Sequence, residues 1–511
     1  MNNKILKYIA IIGVVVMLGS CKKFLTQDSL TQSLPVNYFQ TVKDINSSLA
    51  GMYSAFQGEM KANYFYWGEC RSDNFTIGGW PNSTINELAV NGLTPGNGAC
   101  SWAGLYKVIG RANNCIKYIP NVSKYDNAAT GTVINNAMAQ CYAMRAMSYF
   151  YIIRLWGDAP VWTSPYEDLN QNPRRARAPK DSIMNSVIIP DLLNAYNIIQ
   201  KGQTPTVWNI GEAAIASMLT DAYMWNKDYA NALLWFPKVF AAKSASGKVM
   251  ASPTLGPQLT DLGYKANALP TDVSAVKAQA ILDETNLWKA PFLTPATCLE
   301  SIWSIHWDFL TNSNINLPVA VSTSNNPVSL DSTIFVDWQK NTADIRWSVT
   351  YDKSVTARDK MTKYLDKINY TNNQANQYMV MYRLADQILL YAEALNATGN
   401  STEALRMVNL IRTRAYLTPI LITDPLASTK AALQNTILNE RRLELFGEGK
   451  RWFDLIRTDN VITVMDPTLK LRQKRVGALQ TGFGDPQRIL WPISRQLIED
   501  SQGVLKQNLP Y

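Results

Sequence analysis

The stretch YRLADQILLYAEALNATGNSTEALRMVNLIRTRA, residues 382–415, decides the fold class. In each of its halves, apolar residues recur with the spacing of one helical face. They are Leu384, Ile388, Tyr391 and Leu395 in the first half, and Ala404, Val408, Ile411 and Ala415 in the second. Gly399 and Asn400 interrupt the pattern between them. The stretch therefore predicts two helices joined by a tight turn, and its 34 residues equal one tetratricopeptide repeat.

A similar arrangement occurs 172 residues earlier. The matched positions are Ala213, Ala222, Ala232 and Leu233, which align with Ala385, Ala394, Ala404 and Leu405. Small residues there would let the two helices of a hairpin approach closely. Further apolar periodicity predicts helices over 102–119, 133–156, 181–200 and 436–446. We predict an all-α fold in which tetratricopeptide-like helical hairpins form a superhelical scaffold, with loop-rich insertions and a few short strands.

Two stretches depart from this helical texture. Residues 60–100 and 243–341 are rich in Gly, Pro, Ser, Thr and Asn, and within the second stretch residues 299–307 alternate like a strand. Long irregular segments in a compact protein are usually functional. We therefore expect an N-terminal helical region over 41–242 with a loop insertion at 60–100, a loop-rich insertion over 243–341, and a C-terminal region over 342–511.

The N-terminus carries an export signal. Lys4 and Lys7 precede an apolar run over 9–18, which is too short to span a bilayer and fits the core of a signal peptide. The run ends in LGSC, residues 18–21, which resembles the lipobox of bacterial lipoproteins. We predict a signal peptide over 1–20, a lipidated Cys21 and a tether over 21–40. The alternative is an ordinary signal peptide with a chance cysteine.

Composition excludes several functions. The formal net charge is +9, but the basic residues are scattered apart from the cluster RRAR at 174–177, so no nucleic-acid partner is expected. His306 is the only histidine and the chain has no C-x-x-C pair, so we expect neither a metal site nor a cofactor. Cys115 and Cys141 are expected to be buried thiols. A bridge between Cys70 and Cys100 is left open, and so is bound calcium.

Aromatic residues are abundant, with fifteen Trp and twenty-four Tyr. Such an excess suits a protein that presents flat apolar rings to a ligand, and amide and carboxylate groups beside the rings would supply hydrogen bonds. The loop-rich stretches supply both, and Trp80, between Gly79 and Pro81, is the strongest candidate. The predicted ligand residues are Asp73, Asn74, Trp80, Asn82, Trp288, Trp307 and Trp338. Six other tryptophans are assigned to packing: Trp102, Trp156, Trp225, Trp235, Trp452 and Trp491.

Three glutamates at helical spacing could suggest an active site. Glu440, Glu444 and Glu448 recur at i, i+4 and i+8, with Asp454 nearby, and a glycosidase uses paired carboxylates. Catalytic carboxylates need separate environments, whereas arginines alternate with these. We interpret them as a structural ion-pair network with Arg441, Arg442 and Arg451, and we interpret Arg145 and Arg412 as clamps between helices.

Several ordered motifs then resemble the SusD/RagB family of Bacteroidetes lipoproteins over nearly the whole chain. They are CKKFL at 21–25, AMRAMSYF at 143–150, LWGDAP at 155–160, the helical pair at 382–415, NERRLELFGEGKRWFDLIR at 439–457, LWPI at 490–493 and KQNLPY at 506–511. The family's terminal Gln-Asn-Pro-Gly-Tyr is altered here. Lys22 and Lys23 stand where many members carry acidic residues that direct the lipoprotein to the cell surface.

The resemblance implies a function as well as the helical fold. Such a protein binds an oligosaccharide or polysaccharide at the outer membrane, catalyses nothing, and delivers its ligand to a SusC-like TonB-dependent transporter. The body is expected to face the cell surface, although Lys22 and Lys23 leave the leaflet open. Two alternatives remain, a helical glycoside hydrolase or lyase and a peptide-binding tetratricopeptide scaffold. The identity of the glycan is not encoded in any motif.

Overall fold

The computed structural model describes most of the chain outside the N-terminus and parts of the predicted insertion. The described residues are 38–79, 81–168, 170–202, 206–244, 289–298, 300–308, 311, 327–341, 343–350, 361, 363–364 and 378–511. The predicted signal peptide, Cys21 and most of the tether lie outside them.

Helices dominate the described part of the chain, as predicted. Up to residue 244 they are α1 (Val42–Gly68), α2 (Ser83–Ala89), α3 (Ala103–Tyr118), α4 (Gly131–Trp156), α5 (Lys180–Ile183), α6 (Ile189–Ile198), α7 (Glu212–Trp225) and α8 (Tyr229–Ser244). From residue 289 onward they are α9 (Ala290–Leu293), α10 (Ser332–Lys340), α11 (Arg346–Thr350), α12 (Leu384–Ala397), α13 (Ser401–Arg414), α14 (Lys430–Glu444), α15 (Arg451–Arg457), α16 (Val461–Arg475) and α17 (Arg495–Asp500). In the described ranges, no helix is long and apolar enough to cross a membrane.

Short elements complete the fold. Met184–Ile188 forms a π-helical turn that joins α5 to α6, and Gly98–Cys100, Ile119–Lys124 and Pro486–Ile489 form 3₁₀ turns. The strands are β1 (Phe75–Ile77), β2 (Ser301–Ile305), β3 (Val328–Leu330) and β4 (Met379–Arg383). They form two antiparallel ribbons, β1 with β3 and β2 with β4. In the β2–β4 ribbon Ser301 is opposite Arg383 and Ile305 is opposite Met379.

The decisive stretch folds as predicted. Helices α12 and α13 form a hairpin, and Gly399 takes the left-handed conformation (φ 95°) that ends the first helix. Helices α7 and α8 form the matching hairpin, and the aligned alanines of both pairs are buried. The two hairpins pack against each other, with the rings of Phe236 and Tyr391 stacked 4.1 Å apart between centroids. Burial of small residues thus brings the helices together where the pattern placed them.

The first predicted insertion is more regular than its composition suggested. Helix α1 continues to Gly68, so the start of the stretch 60–100 is helical, and β1 and α2 occupy part of the remainder. A Cβ at Gly68 would collide with the Gly449 carbonyl, so the end of α1 packs directly on the backbone of the most specific sequence motif. Local composition did not predict this helical segment, because the end of α1 is stabilised by residues that are far away in the sequence.

The C-terminal tail closes the N-terminal half. Trp156 Nε1 donates to the Pro492 carbonyl at 3.0 Å, and the Trp491 amide donates to the Leu155 carbonyl at 2.8 Å. Asn508 Nδ2 donates to the carbonyls of both Trp156 and Trp491. The end of α4 is therefore completed by chain that is more than 330 residues away in sequence.

Candidate functional site

A cleft of about 440 Å³ opens beside the N-terminal half of α1, and we call it the aromatic cleft. Positions 46, 50, 53 and 57 of α1 lie at i, i+4, i+7 and i+11, so one face of this helix forms a wall. Helix α4, a loop before α7 and the end of β2 supply the rest. Its lining residues are Asn46, Leu49, Ala50, Tyr53, Ser54, Phe56, Gln57, Gln140, Trp208, Asn209, Trp303, Ile305 and His306.

Two rings of the lining, Trp208 and His306, cluster with the ring of Tyr378 beside the cleft. Trp208 packs edge-on against His306, with centroids 4.8 Å apart and planes at 86°, and it lies 5.0 Å from the ring of Tyr378. His306 and Tyr378 are 5.8 Å apart. His306 is exposed, whereas Trp208 and Tyr378 are half-buried. Each ring is therefore supported by its neighbours and still presents surface to a ligand.

Hydrogen bonds fix the loop that carries Trp208. The Ser304 amide in β2 donates to the Val207 carbonyl at 2.8 Å, and the Ile210 amide donates to the Tyr53 hydroxyl at 2.8 Å. The Tyr53 hydroxyl in turn donates to Gln140 Oε1 at 2.9 Å. Burial raises the pKa of Tyr53, so this hydroxyl keeps its proton and serves as donor and acceptor. The loop is thus bound on both sides, to β2 and to α1.

The polar groups around the rings are mainly amides. Gln57 Nε2 donates to the His306 carbonyl at 2.6 Å, and this bond ties α1 to the end of β2. Asn46, Gln140 and Asn209 complete the set. The lining residues of this cleft that the structure describes include no carboxylate, Lys or Arg. Such a site offers neutral donors and acceptors next to apolar rings, as sugar hydroxyls and C–H faces require.

A smaller cavity of about 190 Å³ adjoins the aromatic cleft and shares Gln140 and Asn209 with it. Its carboxylate, Glu212, accepts hydrogen bonds from the Tyr196 hydroxyl and the Gly202 amide, both at 3.1 Å. The charge of Glu212 is therefore partly satisfied by the protein itself. The two cavities together offer room for more than one ring of an extended ligand.

Those sequence-predicted ligand residues that the structure describes lie outside the aromatic cleft. Asp73 and Asn74 are buried, and Asp73 forms ion pairs with Arg442 at 3.1 Å and Arg451 at 2.8 Å. Burial alone would raise the pKa of Asp73, but these two guanidinium groups hold it well below its usual range. Asn74 bridges Glu69 and Arg442. Both side chains stabilise the core and have no surface for a ligand in this structure.

Two of the predicted tryptophans are also core residues. Trp307 and Trp338 are 3% and 1% exposed. Trp338 lies on α10 and packs against Phe446, 5.0 Å between centroids. Asn82 is exposed, but its Oδ1 caps α2 by accepting from the Ile85 amide. Trp80 and Trp288 lie outside the described residues. Arg442 contacts Asp73 and Asn74 in the first loop-rich stretch and Asp337 in the second, so it joins the two stretches inside the protein.

Trp208 and its partners were missed. Trp208 lies in a stretch that also contains Gly202, Pro205 and Gly211, so turn-forming residues surround it as they do Trp80, although they do not flank it directly. Tyr378 is one residue before β4, and His306 one residue after β2, in strands that pair with each other. The convergence of the three rings depends on that pairing and on the loop before α7, which no local pattern reveals.

The three glutamates are buried in an ion-pair network, but not with the partners predicted. Glu440 pairs with Arg346 at 2.6 Å, and Glu448 pairs with Arg383 at 2.7 Å and with Lys363. Glu444 pairs with Arg346, Arg383 and Arg414. Arg441, Arg442 and Arg451 instead pair with aspartates, which are Asp386, Asp454, Asp73 and Asp337. Neighbouring residues of a helix point in different directions, which explains the correction.

The two predicted arginine clamps and the two predicted buried thiols are all found in the structure. Arg145 pairs with Asp191 between α4 and α6, and Arg412 reaches Glu440 from α13 to α14, so both act as clamps. Cys70 and Cys100 are buried free thiols, as are Cys115 and Cys141. Within the described ranges, no group of three or more His, Cys, Asp or Glu side chains is arranged to hold a metal ion.

Comparison with known proteins identifies relatives over most of the chain. The model of the SusD family matches residues 336–511, and a second model, described as starch-binding associating with outer membrane, matches residues 23–224. SusD-like protein P38 of Formosa agariphila is 27% identical, over 97% of this chain and 96% of its own length.

Solved structures share the fold at low identity. One is described as a laminarin-binding SusD-like protein, with a TM-score of 0.67, 18% identity and coverage of 93% of this chain and 100% of its own. Another is surface glycan-binding protein A from Bacteroides thetaiotaomicron, with a TM-score of 0.65, 18% identity and coverage of 92% and 100%.

Proposed function

Because this chain belongs to the SusD/RagB family, we propose that it binds an oligosaccharide in the aromatic cleft and catalyses no reaction on it. The observation that carries the proposal is the cluster of Trp208, His306 and Tyr378 beside a wall of amide side chains. One solved structure with this fold is described as a surface glycan-binding protein, which agrees with that chemistry.

In this proposal the rings and the amides have separate tasks. A pyranose ring places its C–H face on the exposed surface of Trp208 or His306, where desolvation of both surfaces provides affinity. The amides of Asn46, Gln57 and Asn209 exchange hydrogen bonds with the hydroxyls at the ring edge and select their orientation. The loop is held by β2 and Tyr53 before binding, so little ordering free energy is lost.

The lining favours a neutral ligand. Its described residues have no charge that would pair with a carboxylate or sulfate of an acidic polysaccharide. Laminarin is named for one structural neighbour and starch for one matched family model. Neutral glucans are therefore the first compounds to test. Asn82, exposed at the start of α2, and Trp80 and Trp288 remain candidates for contacts beyond this cleft.

We further propose that the protein is an outer-membrane lipoprotein that presents its ligand to a SusC-like TonB-dependent transporter. Cleavage before Cys21 and acylation of that residue would anchor it, since two or more acyl chains give stable attachment. The tether over 21–40 would allow the body to move relative to the transporter. One matched family model is described as associating with the outer membrane.

The test is calorimetric titration of the purified full-length protein with laminarin and starch oligosaccharides, followed by the Trp208→Ala variant. Loss of the central ring should weaken binding roughly ten-fold or more, since truncating a central aromatic residue costs about 1.4 kcal/mol or more. Tyr125→Ala is the matched control, because Tyr125 is 64% exposed and lies outside the cleft.

The experiments distinguish the location of the binding site from glycan binding itself. Affinity that is unchanged in Trp208→Ala, with binding intact in the wild type, would show that the ligand occupies another site. Absence of binding to any neutral glycan in a broad panel would contradict the proposed function itself. Membrane fractionation of a Cys21→Ala variant tests the anchor, and release of the protein into the soluble fraction is expected.

A further inference from the structure

A second cleft, of about 450 Å³, lies on different elements from the aromatic cleft, and we call it the arginine cleft. It is formed by the start of α3, by loop residues within 160–166 and 173–175, and by the C-terminal segment around α17. Its lining includes Tyr106, Trp162, Tyr166, Arg174, Arg175 and Asp500. It shares no lining residue with the aromatic cleft.

The arginines of the basic cluster RRAR at 174–177 have two different roles. Arg177 is used internally, since its guanidinium donates to the carbonyls of Asp158, Trp156 and Lys506 and to Asn508 Oδ1. Arg174 and Arg175 both line the cleft. The proposed glycan site makes no use of them.

Arg175 is held over an aromatic ring. Its guanidinium carbon lies 3.6 Å from the centroid of the Trp162 ring, and its Nη1 donates to the Val161 carbonyl at 2.7 Å. Trp162 is itself packed edge-on against Tyr166, 5.7 Å between centroids. This arrangement fixes the charge without neutralising it, because a ring attracts a cation but carries no net charge.

Both arginines keep donors for a ligand. Among the described residues, the hydrogen bonds to these side chains use only Arg174 Nε, which donates to the Asp500 carbonyl at 3.1 Å, and Arg175 Nη1. The Asp500 carboxylate also lines the cleft, and its Oδ1 accepts from Gln496 Nε2 at 2.8 Å. Two arginines against one carboxylate leave one net positive charge among the lining residues.

We propose that the arginine cleft is a second binding site, specific for a sugar unit that carries a carboxylate, such as a uronic acid. The carboxylate would accept from the remaining guanidinium donors, a geometry that suits Arg. The sugar ring would lie on Trp162, Tyr166 or Tyr106, which are half-buried or exposed. An acidic peptide fits less well, because the lining comes from helices and loops and offers no strand edge for backbone pairing.

The experiment titrates the full-length protein with digalacturonate and with a neutral disaccharide of the same linkage, at low and at high NaCl. We expect digalacturonate to bind at least ten-fold tighter, with an affinity that falls as salt screens the charges. Arg175→Gln should abolish this preference. Arg475→Gln removes the same charge from an exposed arginine outside the cleft and should preserve it.

Further arms keep the result decisive. Arg174→Gln should weaken digalacturonate binding without disturbing the Arg175–Trp162 contact. Weaker binding in this variant would therefore show the role of charge even if Arg175→Gln changes the conformation of the loop. Trp208→Ala should leave digalacturonate binding unchanged even if it abolishes binding of neutral glucans. Equal binding of both disaccharides, loss of digalacturonate binding in Trp208→Ala, or binding of oligoglutamate in place of digalacturonate would each overturn the proposal.

Discussion

The β2–β4 ribbon has two ends of opposite chemistry. At one end Arg383 is enclosed with Glu300, Glu444 and Glu448, and these four charged side chains are almost fully buried. At the other end, one strand length or roughly 16 Å away, His306 and Tyr378 expose rings beside neutral amides. Charge is used where water is excluded and shape must be fixed, and neutral groups are used where a ligand is to be bound and released.

The buried end of the ribbon positions its open end. The ion pairs at the buried end join β4 to α14 and to the residue before β2. These ion pairs hold β2 and β4 together at one end. At the other end the paired strands contact the loop of Trp208, where the Ser304 amide donates to the Val207 carbonyl. A buried network of this kind defines one geometry, because every alternative leaves a charge unpaired.

Arg383→Leu should produce the largest effect. It leaves Glu300, Glu444 and Glu448 buried without a common partner, and breaking a buried pair costs about 3–5 kcal/mol. Urea unfolding followed by circular dichroism measures the free energy of unfolding. Arg475→Leu, at an exposed position, should change it by less than about 0.5 kcal/mol. A loss below about 1 kcal/mol in Arg383→Leu would mean that the network does not hold the ribbon.

Acid should destabilise the buried end before it affects ligand binding. Burial alone would raise the pKa of Glu444, but Arg414, Arg383 and Arg346 lower it from 4.5 to about 2. The unfolded chain therefore takes up the proton first, and the stabilisation is lost as the pH falls from about 5 to 2, by roughly 3 kcal/mol for this carboxyl. Unfolding curves at pH 5, 4 and 3 measure the decline.

The glycan affinity of the aromatic cleft should not follow the decline in stability over the same pH range. Its described lining has no carboxylate, so glycan affinity should be the same at pH 5 and pH 4, where the protein is still folded. A stability that is flat over this range would contradict the charge network. An affinity that falls in parallel with stability would show that the two ends are not chemically separate.

Tyr53→Phe should have an intermediate effect, since it acts beneath the cleft. The Ile210 amide loses its acceptor and Gln140 loses its donor, and an unpaired buried donor costs about 1–3 kcal/mol. Both the unfolding free energy and the glycan affinity should fall, because the loop of Trp208 is released on one side. Tyr125→Phe removes an exposed hydroxyl and is the control. Affinity that is unaffected while stability falls would exclude a role for this bond in shaping the cleft.

His306→Phe should have the smallest effect. A phenyl ring can keep the edge-on contact with Trp208, so only the hydrogen-bonding capacity of the imidazole is lost. A typical net hydrogen bond contributes about 0.5–1 kcal/mol, which corresponds to a decrease in glycan affinity of roughly two- to five-fold in calorimetric titration. A ten-fold or larger loss would show that the imidazole, rather than Trp208, dominates recognition.

Sequence reasoning succeeded where the information was local. The hairpin of α12 and α13 is encoded by apolar spacing and one turn, so its helices could be placed within a few residues. The charge network was expected, but its pairs were not, because Glu440 and Arg441 are adjacent in sequence and contact different elements. The cleft could not be assembled, since Trp208, His306 and Tyr378 meet only through strand pairing. Asp73 looked like a ligand residue because a turn-rich sequence does not reveal that distant arginines enclose it.

The closure of α4 by the C-terminal tail has a consequence for how the molecule is made. Asn508 and Trp156 are separated by 352 residues, and at a synthesis rate of about 5–20 residues per second the helix end waits tens of seconds for its partner. Because the partners of the helix end are synthesised so long after α4 itself, this contact cannot form early during synthesis. A chain that stops before Trp491 lacks the groups that complete the end of α4. Its carbonyl groups there must turn to water instead, so such a chain is expected to unfold at a lower urea concentration than the full sequence.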